Sequence, residues 1–345
     1  MARYRVVVVG SGFGAKVHVP ILEHHHAFEV AGLIGQTSHS AFRIMAERLR
    51  IPYYQGLDGW RQASVGADLA VVANPPYQHS AFLLEALKRG IPVLAEKPLA
   101  ADASEAAQAV MAAQALGIPG WINFEFRMLE SRRRLAARLH ESSVVGRPLS
   151  FYWIQGGSGY PAYTGRPVSW LTERGLGGGY LGALGSHMLD YLLWLFGDVE
   201  HVQAMEVTEV KERTDGINHA EDGFTVLMQF VSGVTGVIHY RSASRKGLGS
   251  VLEITGTDGG YRLVNDKMLY AFDHTGVLTD LWAEDVQPEP RDPGYMCTEK
   301  IYDSIAAELS GTRTDLPTLR EGLAVQRLMD AIHLSHETGL RCGVS

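Results

Sequence analysis

Cysteine is scarce in this chain of 345 residues, which contains only Cys297 and Cys342. Two cysteines cannot supply the disulfide framework of a small secreted protein, and neither lies at a spacing that a zinc site requires. We therefore expect a reducing compartment and no bound metal. The N-terminus leads directly into a short apolar stretch without a small-residue cleavage site, so we expect a cytoplasmic protein.

The sequence also lacks long apolar runs and an excess of positive charge. No segment offers the roughly 18 consecutive apolar residues of a membrane span. The formal net charge is −7, so no general positive field exists to attract nucleic acid or anionic lipid. Hydrophobic residues make up 46% and charged residues 20%, which is typical of a folded globular chain. At roughly 150 residues per domain, the length predicts two domains.

Short apolar runs alternate with segments of helical periodicity over the first 120 or so residues. The run 6–9, four valines, is too short and too β-branched for a helix and reads as a strand buried on both faces. Further strands are predicted at 28–34, 68–73 and 92–95. An alanine-rich helix is expected to begin at Asp102 or Ser104 and to end at Gly117. The alternation predicts a Rossmann domain, a doubly wound parallel sheet, over residues 1–122.

From about Trp121 onward, strands follow strands. Strand-like runs are found at 149–155, 202–210, 224–230, 234–241, 251–255 and 268–272. Helices are expected near 129–141, 297–309 and 319–337. This order predicts an α/β domain over residues 123–345 with a mostly antiparallel open sheet.

The first predicted strand ends in a glycine-rich turn, GSGFGA at positions 10–15. It fits G-x-G-x-x-G/A, in which Gly10 allows a tight turn, Gly12 lets the backbone approach a pyrophosphate and Ala15 permits close helix–strand packing. The N-terminus of the next helix offers amide donors to phosphates. We expect a dinucleotide to bind Gly10, Gly12, Phe13, Gly14 and Ala15.

The end of the second predicted strand carries no carboxylate for the adenosine ribose. Gln36, Thr37 and Ser38 stand there instead, and with Arg43 they could receive a 2′-phosphate. The sequence therefore predicts NAD or NADP as cofactor, with NADP favoured. FAD is not expected, because nothing later resembles a flavin-specific segment.

Two more groups of polar residues follow predicted strands. Asn74 and Pro75 follow the strand at 68–73, and Glu96 and Lys97 follow the strand at 92–95. Because open α/β sheets bind ligands at the carboxyl ends of their strands, we expect these residues to contact the cofactor. His79 either flanks the nicotinamide or begins a helix.

These motifs together resemble the glucose-fructose oxidoreductase and inositol dehydrogenase family (Gfo/Idh/MocA), and the resemblance covers nearly the whole chain. The residues that carry it are the turn at 10–15, His18-Val19-Pro20, Asn74-Pro75, Glu96-Lys97-Pro98, the glycines 177–179 and Gly185-Ser186-His187-Met188-Leu189-Asp190. The E-K-P triplet followed about 90 residues later by G-x-H-x-x-D is the specific part of the pattern.

The resemblance implies an NAD(P)-dependent enzyme that acts on sugars, cyclitols or polyol derivatives. It places Lys97 beside the nicotinamide and the substrate hydroxyl, and gives His187 a part in handling the proton. It also implies a homo-oligomer, a dimer or tetramer. Neither nucleic acid nor membrane is expected as a partner, because of the negative net charge and the lack of a long apolar run. One departure concerns Ala183, since family dehydrogenases commonly carry Asp four residues before the histidine.

Several residues near His187 are open to more than one interpretation. Asp190 could orient the imidazole or contact the substrate, although in the family this residue is more often structural. Tyr160, Tyr163 and Tyr180 are candidates for substrate contact or proton relay, or are packed aromatics. Two alternatives to a dehydrogenase stay open: a non-catalytic regulator that binds cofactor and sugar, which the departure at Ala183 favours, and a redox-neutral enzyme with tightly held NAD.

Two charged runs are interpreted as solvated surface. The histidines 24–26 have no cysteine or acid at ligand spacing, so we expect an exposed loop rather than a metal site. The arginines 132–134 are expected on the exposed face of a helix rather than against nucleic acid.

Overall fold

The computed structural model describes residues 3–38, 40–141, 144–281 and 293–344. Its contacts divide the chain into two compact units, Met1–Glu125 with Arg291–Gln326, and Phe126–Pro290 with Arg327–Ser345. The segment from 293 to 326 therefore belongs to the first unit, whereas the predicted domains divide the chain once, after residue 122. None of the helices in the described ranges is long and apolar enough to cross a bilayer.

The helices are numbered along the chain. They are α1 Val19–His24, α2 Ala41–Leu49, α3 Gly56–Ala63, α4 His79–Leu87, α5 Ala103–Leu116, α6 Glu130–Glu141, α7 Tyr160–Thr164, α8 Ser186–Phe196, α9 Pro293–Leu309 and α10 Leu319–Thr338.

Six strands of the first unit form a parallel sheet. They are β1 Tyr4–Val9, β2 Phe28–Gly35, β3 Tyr53–Gln55, β4 Leu69–Val72, β5 Val93–Ala95 and β6 Gly120–Ile122. Their order, β3-β2-β1-β4-β5-β6, confirms the predicted doubly wound sheet. The short strands β3 and β6 were not predicted.

Local chemistry explains these elements. The valines at 6–9 are fully buried, as a strand covered on both faces requires. Asp102 begins α5, where its Oδ1 accepts a hydrogen bond from Glu105 N–H at 2.9 Å. Gly117 ends the same helix with φ of +64°. The predicted bounds of this helix are confirmed.

The second unit contains a nine-stranded mixed sheet, ordered β14-β13-β12-β11-β7-β10-β9-β8-β15. The strands are β7 Pro148–Gly156, β8 Val199–Val207, β9 Gly223–Phe230, β10 Thr235–Arg241, β11 Gly249–Gly256, β12 Gly259–Val264, β13 Met268–Asp273, β14 Leu278–Asp280 and β15 Cys342–Gly343. Only the β7–β10 pair is parallel among these described strands, so the predicted mostly antiparallel sheet is confirmed.

Helix α8 packs on one face of this sheet. Along β7, Phe151 and Trp153 are buried whereas Tyr152 and Ile154 are exposed, as expected from the alternation of side chains along a strand. Phe151 stacks on Phe196 of α8 with 5.6 Å between ring centroids. The sheet therefore has one covered and one open face.

Two expectations about charged residues are wrong. Arg132 is 2% exposed, because its Nε and Nη2 donate to the carboxylate of Asp266 at 2.9 and 3.0 Å. His25 is 6% exposed, and its Nε2 lies 3.1 Å from Asp303 Oδ1. In both cases a partner distant in sequence compensates the burial of a polar group.

Candidate functional site

The glycine-rich turn after β1 fits a dinucleotide phosphate. Gly10 has φ of +95°, and a Cβ on it would lie 2.3 Å from the backbone nitrogen of Asn74, so only glycine is tolerated there. Gly12 is exposed, and a Cβ on it would meet nothing within 4 Å. The turn is therefore closed towards the sheet and open above Gly12, where a pyrophosphate would approach.

The close packing predicted for Ala15 is carried out by Gly14 instead. A Cβ on Gly14 would lie 2.9 Å from Phe42 Cζ and 3.3 Å from Val8 Cγ1, whereas Ala15 is half-exposed. Gly14 is the first residue of a π-helical turn, Gly14–His18, that precedes α1. The close approach of helix and strand therefore occurs at Gly14, against Phe42 and Val8.

Gln36, Thr37 and Ser38 lie in an exposed loop after β2. Gln36 Nε2 donates to Gln78 Oε1 at 2.9 Å, and Tyr53 Oη donates to the Thr37 carbonyl at 2.5 Å. Arg43 is exposed and approaches the Ser38 carbonyl with its Nη1 at 3.5 Å. This loop therefore holds hydroxyl, amide and guanidinium groups at the position expected for the adenosine ribose.

Gln78 connects this loop to the end of β4, a role that the sequence did not reveal. Besides accepting from Gln36, its Oε1 accepts from Asn74 Nδ2 at 3.2 Å. Pro75 follows Asn74 and precedes a short 3₁₀ turn, Pro76–Gln78. That turn places Gln78 within reach of both strand ends.

Glu96 is buried immediately after β5. Its Oε1 accepts from His18 Nε2 at 3.0 Å and from Asn123 Nδ2 at 2.6 Å, and its Oε2 accepts from the Lys97 N–H at 3.2 Å. Burial raises the pKa of Glu96, but the hydrogen bond and charge of His18, with Lys97 and Asn123, together hold it below its ordinary value. The ionised carboxylate thus fixes the backbone of Lys97, whose side chain is half-buried.

His79 is the first residue of α4 and is fully buried. Its Nε2 lies 2.6 Å from the Asn74 carbonyl and its Nδ1 lies 3.1 Å from the Leu99 carbonyl. Burial lowers the pKa of His79 despite these acceptors. The side chain ties the loop after β4 to the loop after Lys97, which agrees with the predicted helix start; a contact with the nicotinamide stays a prediction.

His187 is the second residue of α8 and is buried against Phe126, with 4.4 Å between ring centroids. Asp190 accepts from Arg127 through two hydrogen bonds, Nε to Oδ2 at 2.7 Å and Nη2 to Oδ1 at 2.6 Å. Both partners are buried. This bidentate pair favours the structural interpretation of Asp190 over a substrate contact, while its orienting role towards His187 stays a prediction.

Glu221, which the sequence did not single out, holds the segment that leads into α8. Its Oε1 accepts from the Leu181 N–H at 2.8 Å, and its carbonyl accepts from the Tyr180 N–H at 3.0 Å. Gly179 has φ of +98°, and a Cβ on it would lie within 2.1 Å of Glu221 Oε1. The glycines at 177–179 are the signal that could have indicated this close approach.

Glu206, Glu221 and His333 place possible metal-ligating atoms within 4.8 Å of one another. Glu206, however, already accepts from Arg174 Nη2 and His333 Nδ1, each at 2.5 Å. These two ion pairs account for the burial of Glu206. The expectation of a metal-free protein stays a prediction.

The three candidate tyrosines lie near one another in the second unit and differ in burial. The rings of Tyr163 and Tyr180 are 5.2 Å apart, and Tyr163 is 7% exposed. Tyr160 is half-exposed, with Arg245 Cζ 5.2 Å from its ring centroid. Burial raises the pKa of Tyr180, so its phenol remains protonated at neutral pH and can donate a hydrogen bond.

We expect Glu221→Gln to stabilise the protein at pH 8 and to have little effect at pH 5. Burial raises the pKa of Glu221 to about 7 from 4.5, so the folded protein binds a proton that the unfolded chain releases, and stability falls as the pH rises between these values. Glutamine stays neutral and still accepts from Leu181. Chemical unfolding at both pH values should show a gain of ~1–3 kcal/mol at pH 8 only. The exposed Glu29→Gln is the control, and an equal effect of Glu221→Gln at both pH values would contradict the expectation.

Known proteins resemble this chain in sequence and in fold. An uncharacterized oxidoreductase of Synechocystis sp. is 26% identical over 355 aligned positions, which cover 96% of this chain and 94% of that protein. The D-apiose dehydrogenase of Paraburkholderia graminis is 25% identical, covering 80% of this chain and 72% of that protein. The structure of levoglucosan dehydrogenase in complex with NADH and L-sorbose matches with a TM-score of 0.86 at 20% identity over 100% of both chains, which shows a shared fold.

Two family models match consecutive parts of the sequence. The model described as oxidoreductase family, NAD-binding Rossmann fold, matches residues 4–124. The model described as GFO/IDH/MocA C-terminal domain matches residues 134–262. Together these matches span most of both units, and the chain therefore belongs to the GFO/IDH/MocA family of oxidoreductases.

Proposed function

We propose that this protein is an NAD(P)-dependent dehydrogenase or reductase that transfers a hydride between the nicotinamide and a carbinol or carbonyl carbon of a sugar, cyclitol or polyol derivative. The observation that carries the proposal is the open turn at Gly12 on the same sheet edge as the fixed Lys97. Relatives named as sugar dehydrogenases support the substrate class. Two free cysteines fit a cytoplasmic location.

The dinucleotide would lie along the carboxyl edge of the first sheet. The turn at 10–15 would hold the pyrophosphate, and Gln36, Thr37 and Ser38 would hold the adenosine ribose. Asn74, Pro75, His79, Glu96 and Lys97 would surround the nicotinamide end. When bound, the cofactor supplies the hydride acceptor or donor.

The protein must then move one proton. In oxidation the substrate hydroxyl loses its proton as the hydride leaves, and in reduction the new alkoxide takes one up. We assign this proton transfer to Lys97 and His187. Glu96 fixes the backbone of Lys97, while the Arg127–Asp190 pair and Glu221 fix the ends of the segment that carries His187.

Lys97→Ala and His187→Ala should each lower kcat by roughly 10² or more, because general acid–base groups contribute that much. Dinucleotide affinity should stay nearly intact. The measurements are NADH or NADPH absorbance with a polyol and sugar panel, and calorimetry for the cofactor. Lys88→Ala and His140→Ala are the exposed controls.

Three outcomes would contradict this assignment. Full turnover by Lys97→Ala would remove the proton-transfer role. Binding of sugar and cofactor together without any turnover would indicate a regulator. Cofactor retained through purification, with elimination or hydrolysis but no net NADH, would indicate a redox-neutral enzyme.

We further propose that the adenosine end accepts a 2′-phosphate, so that NADPH binds at least as tightly as NADH. The described residues of the loop after β2 contain no carboxylate, and Arg43 borders it. Arg43→Gln should weaken NADPH binding alone, whereas Gln36→Asp should weaken NADPH by charge repulsion and retain NADH. Titration of both cofactors measures this. A hundredfold preference of the unmodified protein for NADH would contradict it.

We also propose a homo-oligomer, a dimer or tetramer, formed through the open face of the second sheet. Tyr152, Val237 and Leu227 are paired across three adjacent strands, and Tyr152 and Leu227 are 52% and 54% exposed. A contiguous apolar face of this kind marks an interface. Sedimentation velocity should show the oligomer for the unmodified chain and a monomer for Tyr152→Lys/Leu227→Lys. The control is Ile44→Lys in the first unit, and a monomeric unmodified chain would contradict the proposal.

A further inference from the structure

A small polar cavity in the second unit contains two arginines and two of the candidate tyrosines. Its lining includes Tyr163, Arg166, Tyr180, Arg213, Asn218 and Glu221. Tyr180 immediately precedes the turn Leu181–Gly185 that leads into α8. The cavity therefore adjoins the segment that carries His187.

Both arginines lie against the same aromatic ring. The Cζ atoms of Arg166 and Arg213 are 5.6 and 5.1 Å from the ring centroid of Tyr163. One cation on a tyrosine face is a common and weakly stabilising contact. A second cation on the same ring adds repulsion between like charges.

The two guanidinium groups lack the usual compensation. Neither Arg166 nor Arg213 forms an ion pair with a carboxylate in the part of the chain that the structure describes. Arg213 Nη1 donates to the Tyr163 carbonyl at 2.6 Å, but its buried Nε has no hydrogen-bond partner. Arg166 is exposed and can be solvated by water, so the buried Nε of the half-buried Arg213 is the group that lacks compensation.

The one carboxylate among the cavity-lining residues does not neutralise them. Glu221 is 1% exposed and its Oε1 is engaged by the Leu181 N–H. Its raised pKa means that it carries a proton during much of the time near neutral pH. The cavity is therefore electropositive, and the phenol of Tyr180 adds a neutral donor, whereas the Asn218 amide is engaged by the backbone of Val210 and Ala220.

We propose that Arg166 and Arg213 form a subsite for an anionic group of the substrate, a carboxylate or a phosphate. Guanidinium forks suit both oxyanions, and the group of Arg213 is already held on Tyr163 by its hydrogen bond to the Tyr163 carbonyl, while Arg166 lies on the same ring at the exposed side. The hydroxyl of Tyr180, whose phenol stays protonated, provides a hydrogen bond for a sugar hydroxyl. The inference rests on the proposed function and narrows it to acidic sugars and sugar phosphates.

The test compares glucose with glucuronate and glucose 6-phosphate, by calorimetry in the presence of saturating cofactor. The unmodified protein should bind at least one acid tenfold or more tightly than glucose, and this preference should fall as salt is raised. Arg213→Gln and Arg166→Gln should each remove most of the preference and leave glucose binding unchanged. Arg213→Lys should retain part of it.

Arg138→Gln is the control for loss of net charge, because Arg138 is an exposed residue of the same unit and the substitution removes the same single positive charge. Circular dichroism and thermal unfolding establish that each variant is folded. A preference that survives both glutamine variants, or no preference for either acid over glucose, overturns the subsite. Binding by calorimetry and turnover by absorbance are separate measurements, so the two proposals can fail separately. Turnover with no preference for an acid overturns the subsite only. Binding of an acid with no turnover on any sugar overturns the dehydrogenase only.

Discussion

The buried carboxylate of Glu96 is the group around which the first unit's site is organised. It accepts hydrogen bonds from His18 in the turn before α1, from Asn123 after β6 and from the backbone of Lys97. Three separate parts of the chain therefore converge on one charge. A buried polar group left without its partner typically costs about 1–3 kcal/mol, so each of these hydrogen bonds helps to hold the backbone of Lys97 in place.

The sequence predicted those features whose causes are local. Runs of β-branched residues fix buried strands, and Gly10 and Gly117 mark conformations that other residues rarely adopt. The parallel sheet, the cofactor turn and the capping of α5 by Asp102 follow from such signals. Lys97 and His187 were predicted from the family motifs instead, because a role in a reaction leaves no mark on local conformation.

The features that the sequence did not predict depend on distant partners. Arg132 belongs to a charged triplet that indicates a solvated surface unless Asp266, 134 positions away, is known to bind it. Close packing occurs at Gly14 rather than Ala15 because Phe42, a residue of α2, lies against Gly14. Glu221 lies in no recognisable motif, because what it does is accept hydrogen bonds from the backbone of Tyr180 and Leu181, and any sequence can offer backbone donors. The three-residue strands β3 and β6 contain polar or glycine positions, Gln55 and Gly120, whereas the equally short β5 is wholly apolar and was predicted.

Residues 293–326 follow the second unit in the sequence but belong to the first unit in the structure. Tyr302 and Asp303 of α9 contact His18 and His25, and Glu308 accepts from the Trp121 indole. A fragment that ended at Glu125 would leave these buried groups without their partners. The nucleotide-binding unit is therefore assembled from two separate stretches of the gene. If recombination exchanged only the continuous stretch 1–125 between two genes, the transferred unit would lack residues 293–326 and its core would be incomplete.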